Sequence, residues 1–129
     1  MVSKFDLSQE WFRQAEYDLA VALDMFNAKR YIYCVFMCHL CIEKALKAHY
    51  AKKFKTNPPK THDLDYLCEK IGIKLSEDKI IFIDELNDLS VPTRYPDELK
   101  KVLKQYNKQR THKILNLSRE LFQCLKKSK

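Results

Sequence analysis

The sequence predicts an all-α fold, an up-and-down helical bundle of four to five helices in a single domain over residues 1–129. Three observations carry that reading. Apolar residues recur at steps of three and four along most of the chain, and no stretch alternates with the period of two that a half-buried strand requires. At 129 residues, 46% apolar and 32% charged, the chain is large and apolar enough to bury one core. No internal repeat or low-complexity tract interrupts it, and short connections between helices imply an up-and-down arrangement.

The elements follow in order. Asp6 or Ser8 caps a first helix whose apolar positions are Trp11, Ala15, Leu19, Ala22, Leu23 and Phe26. After a break at Asn27 to Arg30, a second helix runs from about Tyr31 to Phe54. Its first half is apolar on nearly every face, which marks it as central, and its second half turns basic before Pro58 and Pro59 end it. Thr61 offers a cap for a short third helix from His62 to about Lys70, with Leu64 and Leu67 inward and Gly72 suited to terminate it. Ser76 caps a fourth helix with the stripe Ile80, Ile83, Leu86, Leu89, which Val91 and Pro92 stop. The segment Pro92 to Pro96 is a loop, because each proline pushes the preceding residue into extended backbone. Asp97 to Tyr106 is helical or irregular. A last helix, from about Asn107 to Lys127, gathers Thr111, Ile114, Leu115, Ser118, Leu121, Phe122 and Leu125 on one face.

Composition excludes several classes. A single glycine, Gly72, cannot build the glycine-rich turns of P-loop or Rossmann folds. The longest apolar run, Tyr31 to Ile42, falls short of the ~20 residues that span a bilayer, and the N-terminus lacks the apolar core of a signal peptide. A cytoplasmic protein without membrane contact is expected. Five cysteines form an odd set, and Cys34, Cys38 and Cys41 share one helix at a spacing that cannot surround a metal tetrahedrally, so neither a disulfide framework nor a metal site is expected. No cofactor is expected.

The net charge of +7 is unevenly spread. Lys44 to His62 holds six lysines and no acid, Asp63 to Glu98 holds ten acids and four bases, and Leu99 to Arg119 holds seven Lys/Arg and no acid. Basic segments of this kind recruit phosphates or acidic proteins, or simply solvate a surface.

The second helix reads Cys38-His39-Leu40-Cys41-Ile42-Glu43-Lys44-Ala45-Leu46-Lys47-Ala48, which resembles the QAAEKALKA core of HEPN domains. Thr61-His62-Asp63-Leu64 and Arg94-Tyr95-Pro96 follow in that family's order, and Trp11 through Ala22 is similar too. The resemblance implies a helical bundle, commonly dimeric, often encoded beside a minimal nucleotidyltransferase in toxin-antitoxin-like pairs. It also brings a ribonuclease motif to test, an arginine separated by four to six residues from a histidine. After Arg94 those positions hold Leu99, Lys100 and Lys101; after Arg110 they hold Leu115, Asn116 and Leu117; Arg13, Arg30 and Arg119 fail likewise.

The resulting expectation is a non-catalytic module that binds nucleotides, a nucleotidyltransferase partner or both. Lys44, Lys47, His62, Arg94 and Tyr95 are the candidate phosphate-and-base residues, with cations neutralising phosphate and the ring stacking on a base. Glu43 is a candidate structural tie, with Arg94 its candidate partner. The alternatives are a ribonuclease with an atypical pair, Arg110 with His112 or His39, and a basic nucleic-acid binder through Lys100 to Lys113. Tyr31, Tyr33, Phe36 and Met37 exceed what one small bundle buries, so a homodimer seam along the second helix is expected.

Overall fold

A computed structural model of the chain describes residues 6–89 and 99–128. Six helices make up the described part: α1 (Leu7–Asn27), α2 (Tyr31–Phe54), α3 (Leu64–Ile71), α4 (Glu77–Leu89), α5 (Leu99–Gln105) and α6 (Lys108–Lys127). The bundle is all-α as predicted, with one helix more than the upper count, because α5 forms in the segment left open between helix and irregular chain. The proline loop lies outside the described residues.

The helix ends follow local chemistry. Asp6 caps α1 by accepting from the Gln9 amide at 3.1 Å, and Asn107 caps α6 by accepting from the Arg110 amide at 2.8 Å. At α3 the expected start is two residues early. Asp63, not Thr61, holds the cap, accepting from the Tyr66 amide, while Thr61 receives the Asp63 amide. Gly72 closes α3 with φ +64°, a left-handed conformation that glycine adopts without a Cβ penalty, and the Lys53 ammonium reaches across to the Ile71 carbonyl at 2.9 Å. Lys55, in the same left-handed region, ends α2 before the prolines are reached.

The helix α2 is central, touching α1, α3, α4, α5 and α6. It forms a hairpin with α1 across a three-residue connection, and fully buried Ala15, Ala22, Ala45 and Ala48 let the two backbones approach closely. Packed on them is α6, which buries the seven residues predicted for its inner face. Two predicted stripes need correction. In α1, Phe12 and Asp18 take buried positions while Leu23 is exposed and Trp11 half-buried; in α4, Phe82 joins Ile83 and Leu86 inside while Ile80 faces solvent. No helix among the described residues is long and apolar enough to cross a membrane.

His49 ties α2 to the end of α6, its Nε2–H donating to the Leu125 carbonyl at 2.8 Å beneath the Phe12 ring. Burial pushes this imidazole below its ordinary range, with Lys52 adding to the effect and the carbonyl opposing it. Because the folded protein then binds fewer protons than the unfolded chain, stability is full above about pH 6.5 and declines as pH falls below it. Urea midpoints at pH 5.5 and 7.5 should therefore differ more in the wild type than in His49→Gln. Equal differences would remove the assignment.

Candidate functional site

Glu43 sits on the buried face of the central helix, 3% exposed, where a bare carboxylate would be costly. Both of its oxygens are engaged. Oε2 accepts from the Lys47 ammonium at 3.0 Å, one turn along α2, and Oε1 lies 2.9 Å from Nδ1 of His62 in the approach to α3. Nδ1 of the fully buried His39, one turn back, is 3.8 Å from the same Oε1. The Lys47 ammonium also stands 5.5 Å from the centre of the Trp11 ring, so α1, α2 and the α3 approach meet at this cluster.

The predicted site residues divide here. Lys47 and His62 converge on Glu43. Lys44, only one residue from Glu43 but about 100° around the helix, turns to α1 and pairs with Asp18 at 2.8 Å. Arg94 and Tyr95 lie outside the described residues, so the Glu43–Arg94 pairing does too. Lys47 is 8% exposed and Lys44 22% at the side chain, each held by a carboxylate, whereas the His62 side chain is 58% exposed. Of the three, only His62 presents an accessible polar group to a ligand. The sequence reading missed Asp18 and the His62 contact. A signal for Asp18 exists: it falls between Ala15 and Ala22 on the small-residue face of α1, where a carboxylate needs a partner.

Cations with no carboxylate partner among the described residues lie elsewhere. Lys100, Lys104, Lys108 and Lys113 on α5 and α6 are exposed, and no carboxylate among the described residues is within ion-pair range of them. Arg110 stacks 5.0 Å over the ring of buried Tyr106, which holds its guanidinium at the start of α6. Beside it a slot of about 350 Å³ opens between α4 and α6. Phe82, Leu89, Ile114 and Leu117 line it with apolar surface, Arg110 and Lys113 supply cations, and Glu85 and Asp88 supply carboxylates. Its volume falls in the range of small-molecule sites, and its composition suits a ligand with a flat apolar body, an anionic group and hydroxyl or amino donors.

The atypical ribonuclease pairs do not converge. Arg110 and His112 are about 200° apart around α6, the arginine on Tyr106 and the histidine with its ring 5.4 Å from that of Phe26 on α1; His39 is sealed in the core. Cys34, Cys38 and Cys41 are free and buried. Hydrogen bonding to Cys38 and then burial push Cys34 up, the bond from Cys34 lowers Cys38, and burial pushes Cys41 up; no group of His, Cys, Asp or Glu among the described residues is placed to hold a metal ion.

With this geometry established, comparison with known proteins gives a specific result. The family model for the HEPN domain matches residues 8–128. The chain belongs to the HEPN family. That match spans all four stretches that carry the HEPN resemblance, Trp11 to Ala22, Cys38 to Ala48, Thr61 to Leu64 and Arg94 to Pro96. The HEPN chain also shares its fold with the crystal structure of TT1696 from Thermus thermophilus, at a TM-score of 0.80 and 19% identity over 95% of this chain and 98% of that one. A comparison with curated proteins finds no match.

Proposed function

We propose that this HEPN chain is a non-catalytic binding module for phosphate-bearing ligands, a nucleotide or a short RNA, held at the α4–α6 slot and the lysines around it. The observation that carries the reading is the contrast between two sets of cations. Lys44 and Lys47 are neutralised by Asp18 and Glu43, whereas Lys100, Lys104, Lys108, Lys113 and Arg110 have no carboxylate partner among the described residues, and two of them, Arg110 and Lys113, line the slot. A phosphate meets the second set without first displacing a carboxylate. Arg94 and Tyr95 follow Leu89, a wall of the slot, by five and six residues in sequence, and belong to the same proposal with His62. A nucleotidyltransferase is the partner class that the HEPN resemblance implies.

The test is a titration of AMP and of a labelled 12-nucleotide RNA against the wild type and Arg110→Ala/Lys113→Ala. Loss of the two cations should weaken binding by roughly 1–3 kcal/mol, the scale of charge-assisted hydrogen bonds, with an unchanged melting temperature because both side chains are exposed. Equal affinity in the folded variant would sink the slot. The RNA should be recovered at full length. Cleavage abolished by His112→Ala would reinstate the ribonuclease reading.

The same module is proposed to be a homodimer through α2. Tyr33 is 60% exposed, and Tyr31, Phe36 and Met37 beside it are only partly covered by the chain's own helices. Light scattering should report twice the 15.4 kDa chain mass, and Tyr33→Ser/Met37→Ser should lower it. A wild-type monomer at every concentration would contradict the seam.

A further inference from the structure

On the other side of α4 the chain presents a surface of opposite charge. Ile80 and Ile81 are each about half exposed, at 51% and 52%, although the next two residues, Phe82 and Ile83, are buried. Against Ile80 lies a groove of about 260 Å³ with Ile73, Leu75, Ile80 and Ile83 as its apolar walls and the carboxylates of Asp65 and Glu69 in its lining, while Ile81 lies about 100° further around α4 at its edge. From Asp63 to Asp88 the chain carries eight acids and three bases. No cation among the described residues forms an ion pair with Asp65, Glu69 or Asp84.

Among the described residues the groove is therefore apolar and short of positive charge at once. Asp65 and Asp84 stand in mutual contact, and burial together with the Asp84 carboxyl pushes Asp65 up to about 6, while the Asn87 amide donates to Asp65 at 3.3 Å without supplying charge. Two carboxylates that repel each other gain most from a cation brought in from outside. A free metal ion would leave Ile80 and Ile81 in water, and an anionic lipid surface would be repelled. The basic α5–α6 segment of a second copy exposes, among its described residues, only Leu103 as a large apolar side chain, too little to fill the groove.

We infer that the face formed by α3 and α4 is a docking surface for a basic amphipathic helix of a partner protein. Its leucine-like side chains enter the groove beside Ile80 and Ile83, and its lysines or arginines meet Asp65, Glu69 and Asp84. This is the helix-in-groove mode, read with the charges of this chain. It stands independently of phosphate binding, because the groove and the α4–α6 slot have no lining residue in common.

The test uses three labelled 18-residue helical peptides and fluorescence anisotropy at 150 mM salt. One carries leucine on one face and lysine on the other, the second has glutamate for lysine, and the third has serine for leucine. The wild type should bind the first at least tenfold more tightly than either control. Ile80→Ser/Ile81→Ser and, separately, Asp65→Asn/Asp84→Asn should each weaken that binding at least tenfold while AMP binding and the melting temperature are kept. Three outcomes would overturn the inference: the lysine–serine peptide binding as tightly as the first, both variants binding like the wild type, or wild-type self-association in sedimentation that Ile80→Ser/Ile81→Ser abolishes. Failure of AMP binding with peptide binding intact would count against the slot alone.

Discussion

Glu43→Ala is expected to cost the fold about 3–5 kcal/mol, a large share of a small domain's stability, because it leaves a buried ammonium without its counterion. Lys47 is 6% exposed and has Glu43 as its carboxylate partner, with the Trp11 ring as its remaining support. The same substitution releases His62 and so loosens the approach to α3 from the central helix. Glu43→Gln keeps the shape and one acceptor, and should lose less. Lys47→Met should also destabilise, since it strips the carboxylate of its closest permanent charge. The double variant Glu43→Gln/Lys47→Met removes both charges at nearly constant volume and should melt above Lys47→Met alone, because replacing a buried pair is cheaper than breaking it. Urea denaturation of the wild type and these variants gives the comparison. A Glu43→Ala protein within about 1 kcal/mol of the wild type would show that the cluster is not a tie.

How far the sequence revealed this arrangement differs between elements for identifiable reasons. The inner face of α6 was legible residue by residue, because its remaining positions are mostly polar and only one register buries the apolar ones. In α4 the run Ile80, Ile81, Phe82, Ile83 offers apolar residues on every side, so periodicity alone could not choose the face. The packing against α2 and α3 chose Phe82, Ile83 and Leu86. In α1 the buried positions went to Phe12 and the small or paired residues Ala15, Asp18 and Ala22, which weigh little in a hydrophobic pattern.

The candidate site was half legible for a related reason. A glutamate inside an apolar stretch of the central helix calls for partners, and Glu43 meets Lys47 and His62. Lys44 and Lys47, however, look alike in sequence; what distinguishes them is a partner on another helix, Asp18, 26 positions before Lys44 in the chain. The same holds for His62, whose distance of 19 residues from Glu43 gives no local clue to their contact. Charge counts mark the basic segment from Leu99 to Arg119 but could not say that Lys100, Lys104, Lys108 and Lys113 have no carboxylate partner among the described residues while Lys44 and Lys47 of α2 are neutralised. That distinction is tertiary, and it moves the phosphate-binding proposal from α2 to α6.

The most direct measurement of that claim is the salt dependence of binding to a short single-stranded RNA. For single strands the slope of log affinity against log salt is about −0.7 per phosphate neutralised. Replacing the four exposed cations in Lys100→Gln/Lys104→Gln/Lys108→Gln/Lys113→Gln should therefore flatten the slope by up to about 3 and weaken binding at 50 mM salt by at least about a hundredfold. All four side chains are on the surface, so the variant should fold. The matched control, Lys44→Gln/Lys52→Gln, changes the α2 segment and should leave the slope within about 1 of the wild type. The contradicting result is the reverse pattern, with the slope unchanged by the α5–α6 substitutions and lost with those on α2.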